Sequence, residues 1–100
     1  YEPITLNTWT NFCVTYDGSS NVSGLKLYKN GVLKTTDNYN DGYTKMNQNT
    51  DPLYIGCRSY SAVGYFSGGQ DELAIWKNRV LTPTEVLDIY NKGVAGIPLI

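Results

Sequence analysis

Four tyrosines, Tyr39, Tyr43, Tyr60 and Tyr65, lie in or beside stretches rich in Asn, Asp, Ser and Gly, and Arg58 stands two positions before Tyr60. An aromatic ring can stack on the C–H face of a sugar while fixed polar groups select among its hydroxyls. These five residues are the candidate carbohydrate-binding set, although any single tyrosine can equally serve sheet formation and packing. Glycoside hydrolysis is a second chemistry, and it needs paired carboxylates flanking the scissile bond. Asp71 and Glu72 are adjacent, so on a strand they point to opposite faces, and Leu73 and Ala74 follow them. Asp71 is expected instead to bond to backbone, or to Arg58 or Arg79, and no catalytic residue is assigned. Calcium would need a shell of oxygens. Gln70 and Asp71, or Asp37 and Asp41, could contribute, but Asp-Gly and Asn clusters also form turns. The expectation is no resident cofactor, with calcium the one metal these residues could serve.

Composition narrows the classes further. Histidine is absent, which removes the commonest general base and metal ligand. The formal net charge is −1 and the eight basic residues are scattered singly. Phosphate binding needs clustered Lys and Arg, so a nucleic-acid partner is not expected. No apolar run reaches the length of a membrane span, and no membrane partner is expected. No signal-peptide pattern stands at Tyr1, so any targeting segment is expected to have been removed or to lie outside the chain. The sequence is 41% hydrophobic over 100 residues, enough for the core of one domain or part of one. Cys13 and Cys57 both fall in predicted strands. A disulfide is open from sequence alone, and buried thiols are favoured because lone cysteines behave as small hydrophobes. Asn21-Val22-Ser23 fits a glycosylation acceptor triplet.

The elements that must position these groups follow from periodicity. Phe12, Val14 and Tyr16 alternate with Asn11, Cys13 and Thr15, which predicts a strand over 10–17 with one buried face. Asp17-Gly18-Ser19-Ser20-Asn21 is a turn cluster. Leu25-Lys26-Leu27-Tyr28-Lys29 predicts a strand over 24–30. Asn30-Gly31 then gives the strongest short hairpin signal, and a return strand follows over 32–36. Residues 37–51 form a long polar loop, which is usually functional. Alternation predicts two more strands, 52–58 and 65–77. Thr82-Pro83-Thr84-Glu85 supplies a capping box with proline at the first helical position. A helix over 83–91 should bury Val86, Ile89 and Tyr90, with Gly93 as its left-handed stop. Phe12, Val14, Leu25, Leu27, Leu53, Ile55, Leu73 and Ile75 are the predicted common core. Several short strands with regular turn signals indicate an all-β, antiparallel sandwich or barrel with one short C-terminal helix.

The order of motifs adds a resemblance. Trp9-Thr10-Asn11-Phe12-Cys13-Val14-Thr15-Tyr16-Asp17-Gly18 is similar to a strand of laminin-G-like, concanavalin A-like jelly rolls. Leu27-Tyr28-Lys29-Asn30-Gly31-Val32-Leu33 resembles their second hairpin motif, and Leu53-Tyr54-Ile55-Gly56 a third. Phe66-Ser67-Gly68-Gly69-Gln70-Asp71-Glu72-Leu73 through Leu81-Thr82 resembles their last strand and capped turn. The match covers roughly residues 5–92. The pentraxin-related branch also places a cysteine at the position of Cys13. Hydrolases of this jelly roll resemble Glu-x-Asp-x-x-Glu, a pattern absent here. Pentraxins carry an acidic-amide run after the position of Gly56, where this chain has Cys57-Arg58-Ser59-Tyr60 without a carboxylate.

The resemblance implies a concanavalin A-like jelly-roll sandwich of which residues 1–100 are the second half, the earlier strands of both sheets having no counterpart in this sequence. Half a sandwich leaves one apolar face and strand edges uncovered. The expected partner is therefore other polypeptide that completes the sandwich, from the same protein or a neighbouring subunit. The alternative is a compact five-strand variant covered by the helix and Ile97-Pro98-Leu99-Ile100. The implied function is a non-catalytic, lectin-like recognition or adhesion module at the exterior of a cell or virion, with a glycan or surface polymer as ligand. The other expectation is a structural decoration or assembly module of a phage fibre or capsid without a sugar site.

Overall fold

The computed structural model describes residues 3–34, 50–58 and 64–98. The chain divides into two units: Tyr1–Lys45 with Trp76–Ile100, and Met46–Ile75.

The first unit holds a three-stranded antiparallel sheet in the order β1-β2-β3. β1 is Phe12–Tyr16, β2 is Leu25–Lys29 and β3 is Val32–Lys34. Cys13 pairs with Tyr28, Val14 with Leu27, and Tyr28 with Leu33. Asn30 and Gly31 turn β2 into β3 with φ of 50° and 77°, the two positive values that a two-residue hairpin of the right twist requires. Asn30 also anchors the sheet edge. Its N–H donates to the Asn11 carbonyl and its Oδ1 accepts from the Asn11 N–H, both at 2.9 Å.

The helix α1, Pro83–Val94, lies against this sheet and builds the core. Its capping box is complete: the Glu85 N–H donates to Thr82 Oγ1 at 3.2 Å, and the Thr82 N–H donates to Glu85 Oε2 at 2.9 Å. Arg79 pairs with the other oxygen of Glu85. Val86 and Leu81 bury against Tyr28, which is only 1% exposed, and Cys13 and Ile89 pack around them. The hairpin turn approaches the same helix. A Cβ added at Gly31 would sit 2.9 Å from Leu87 Cδ1 and 3.2 Å from Tyr90 Cδ1. Gly93 does not end the helix. It continues to Val94, and Gly96 takes the left-handed conformation at φ 70°. The Gly96 N–H donates to the Gly93 carbonyl and the Ile97 N–H to the Lys92 carbonyl, at 3.1 and 2.8 Å. That bond pair is a Schellman stop, one turn later than the periodicity placed it.

Two predicted features need correction. Among the described residues, neither 52–58 nor 65–77 forms a strand. Left-handed residues break both runs: Gly56 at φ 80° and Glu72 at φ 52°. A strand also needs a neighbour for its backbone groups, which alternation alone does not supply. The predicted core face is the second correction. Phe12, Val14 and Leu25 are exposed, Val14 at 60%, and Leu27 is half-buried. In the second unit Leu53, Ile55, Leu73 and Ile75 are exposed too, Ile75 at 69%. In the first unit the helix covers the opposite face of the sheet, the one carrying Cys13, Thr15 and Tyr28. Cys13 and Cys57 are half-buried thiols and do not form a disulfide.

Candidate functional site

In the second unit a backbone bond closes the stretch that bears the polar candidates. The Phe66 N–H donates to the Gly56 carbonyl at 2.8 Å. Gly56 and Gly64 both have positive φ, 80° and 66°, conformations that side-chain-bearing residues adopt at a cost. A Cβ added at Gly64 would lie 3.0 Å from Arg58 Cβ. The stem of Arg58 therefore packs over Gly64, immediately before Tyr65 in the chain. Tyr65 is 68% exposed, and Arg58 and Phe66 are exposed beside it. Gln70 reaches the same closure, its Nε2 lying 3.5 Å from where a Gly56 Cβ would be.

The arrangement offers an aromatic face, a planar guanidinium with fixed-fork donors, and an amide that both donates and accepts. Those are the groups that hold a sugar by its C–H face and its hydroxyls. The structure brings Arg58 and Tyr65 to one closure. Tyr39, Tyr43 and Tyr60 lie outside the described residues, as do Asp37 and Asp41. Gln70 was read from sequence only as a possible calcium ligand. Its place over Gly56 comes from a backbone closure between distant positions, for which no local motif gives a signal. Phe66 was read as part of a strand motif, and its exposure beside Tyr65 was legible only in the pairing of adjacent aromatics.

The acidic residues are engaged differently. Asp71 Oδ1 accepts from the Glu72 N–H at 2.8 Å, so its bond goes to backbone. No group of three or more His, Cys, Asp or Glu stands close enough to hold a metal ion among the described residues. In the first unit the β1–β2 loop is built on Asp17. Its Oδ1 accepts from the Ser19 N–H at 2.9 Å. The Ser19 side chain and then its backbone N–H hold the Asp17 carboxyl below its ordinary range. Tyr16 Oη accepts from the Ser20 N–H at 2.8 Å and fixes the same loop. Burial pushes the Cys13 thiol above its ordinary value. No helix among the described residues is long and apolar enough to cross a membrane.

Comparison with known proteins places these features in a class. A laminin-G-like family, described as the concanavalin A-like lectin/glucanases superfamily, matches residues 1–87. The chain belongs to this family, and its three-stranded sheet and C-terminal helix form part of that all-β sandwich. The human protein named adhesion G-protein coupled receptor D1 is similar, at 35% identity over 86 residues. The match spans 86% of this chain and 9% of that receptor. No solved structure gives a significant match. Laminin-G-like domains are typically adhesion and ligand-binding modules, generally non-catalytic, and usually occur in extracellular regions of adhesion proteins.

Proposed function

We propose that this chain is a non-catalytic recognition segment that binds carbohydrate through the closure holding Arg58 and Tyr65. The observation that carries this reading is the exposed Tyr65, next in the chain to Gly64 over which the Arg58 stem packs, with the Gln70 amide at the same closure. The setting is extracellular, in keeping with the class. The apolar sheet face of Phe12, Val14 and Leu25 is covered by further polypeptide of the same protein or of a neighbouring subunit. The reading assigns no metal to the binding step, and chelation tests that assignment.

The test is a glycan array probed with a polypeptide that carries this chain and its flanking sequence, before and after chelation. Tyr65→Ala and Arg58→Ala should each lower retention on the glycans that the parent binds, and chelation should leave retention unchanged. Absence of any retained glycan, or retention by both variants equal to that of the parent, would overturn the site. Self-association of the same polypeptide without glycan retention would instead favour a structural assembly module.

A further inference from the structure

We propose that Asn21 is the acceptor of an N-linked glycan, a modification independent of the ligand site proposed above. Of the asparagines in the sequence, Asn21 alone has Ser or Thr two positions on, and Val22, not proline, stands between. The triplet is common by chance, so its placement decides its meaning. It sits in the β1–β2 loop, and Asn21 and Ser23 are both exposed. Asn21 opens the short 3₁₀ turn Val22–Gly24 from an extended conformation, φ −125° and ψ 135°. Its Oδ1 accepts from the Ser23 N–H at 3.0 Å, and its carbonyl accepts from the Gly24 N–H at 2.9 Å. Both oxygens of the residue are thus engaged by its own turn, and no hydrogen bond among the described residues engages Nδ2. The flanking residues are small, Ser19, Ser20 and Ser23. The loop also lies at the end of the strands opposite the Asn30-Gly31 turn that approaches α1. A bulky, hydrated group on Nδ2 therefore meets neither the core nor the helix.

The donor is an oligosaccharide linked through pyrophosphate to a lipid, used by a transferase of the secretory pathway. Asn21 Nδ2 bonds to the anomeric carbon as the bond from that carbon to the pyrophosphate oxygen breaks. The lipid pyrophosphate leaves with the electron pair, and a base of the transferase takes the amide proton. No oxidation state changes.

A polypeptide that carries the chain and its flanking sequence, with any acceptor triplet outside residues 1–100 removed, is translated behind a cleavable signal sequence into endoplasmic-reticulum microsomes, and is also secreted from eukaryotic cells. One glycosidase-sensitive step in mass is expected, with conversion of Asn21 to Asp after enzymatic release. Ser23→Ala should abolish the step while leaving the Asn21 cap, which needs only the residue 23 N–H. Ser23→Thr should keep it. Because the site is exposed, the glycan should come off the secreted protein without denaturant. An unmodified product in microsomes, or a glycosidase-sensitive step that survives in Ser23→Ala, would overturn the assignment.

Discussion

Asp17 and Gly24 show how one loop sets both a pKa and a steric limit. The Asp17 carboxyl is lower in the folded chain than in the unfolded one, through Ser19. Its contribution to stability is therefore fully present above the unfolded carboxylate pKa and is lost as pH falls through the folded value. A titration of the Asp17 carboxyl carbon by NMR should show a midpoint below that of an unfolded peptide. Ser19→Ala should bring it part of the way back. Gly24 is required by contact: a Cβ there would overlap Asp17 Oδ1 and lie 2.6 Å from Ser19 Oγ. Gly24→Ala should open this turn, lowering the urea midpoint and raising the Asp17 midpoint together. A shift in one without the other would separate the two effects. The turn cluster was legible in the sequence because Asp, Ser, Gly and Asn bond to nearby backbone. The need for glycine at position 24 was not, because the clash comes from a side chain seven positions away.

At the level of elements, α1 carries the core. Thr82→Ala should cost about 0.5–2 kcal/mol by removing the cap, read as a lower midpoint in urea. Leu81→Ala should cost about 2–5 kcal/mol, because Leu81 is buried against Tyr28 and Val86. Ile75→Ala, exposed in this structure, should cost much less in the same assay. Equal losses for Leu81 and Ile75 would mean that the covered face has been misplaced. The capping box and the Asn30-Gly31 turn were legible because each is a short-range pattern with its own geometry. The helix stop was displaced from Gly93 to Gly96 because the Schellman bonds involve the residues after the glycine, here Ile97. The stretches 52–58 and 65–77 read as strands because alternation reports which side chains are apolar. It does not report whether a neighbouring strand is present to pair with them. Of the candidate site, the residue types were legible, while the closure between Gly56 and Phe66 was not.

At the scale of the molecule, the described residues of the first unit cover its sheet on one face only. Its register puts Phe12, Val14, Leu25 and Leu27 on one side and Cys13, Thr15 and Tyr28 on the other. The helix takes the second side, and the first side, richer in aliphatic residues, stays exposed. A two-layer sandwich buries each sheet against the other, so an apolar face of this kind marks where a second layer fits. The central claim is that further polypeptide supplies that layer in the working protein. The most direct test is sedimentation of the isolated 100-residue chain with a dye that reports exposed apolar surface, beside a longer polypeptide that includes its flanking sequence. The isolated chain should bind the dye and self-associate, and the longer polypeptide should do neither. An isolated chain that is a monodisperse, cooperatively folding monomer and binds no dye would contradict the claim and favour a compact domain complete in itself.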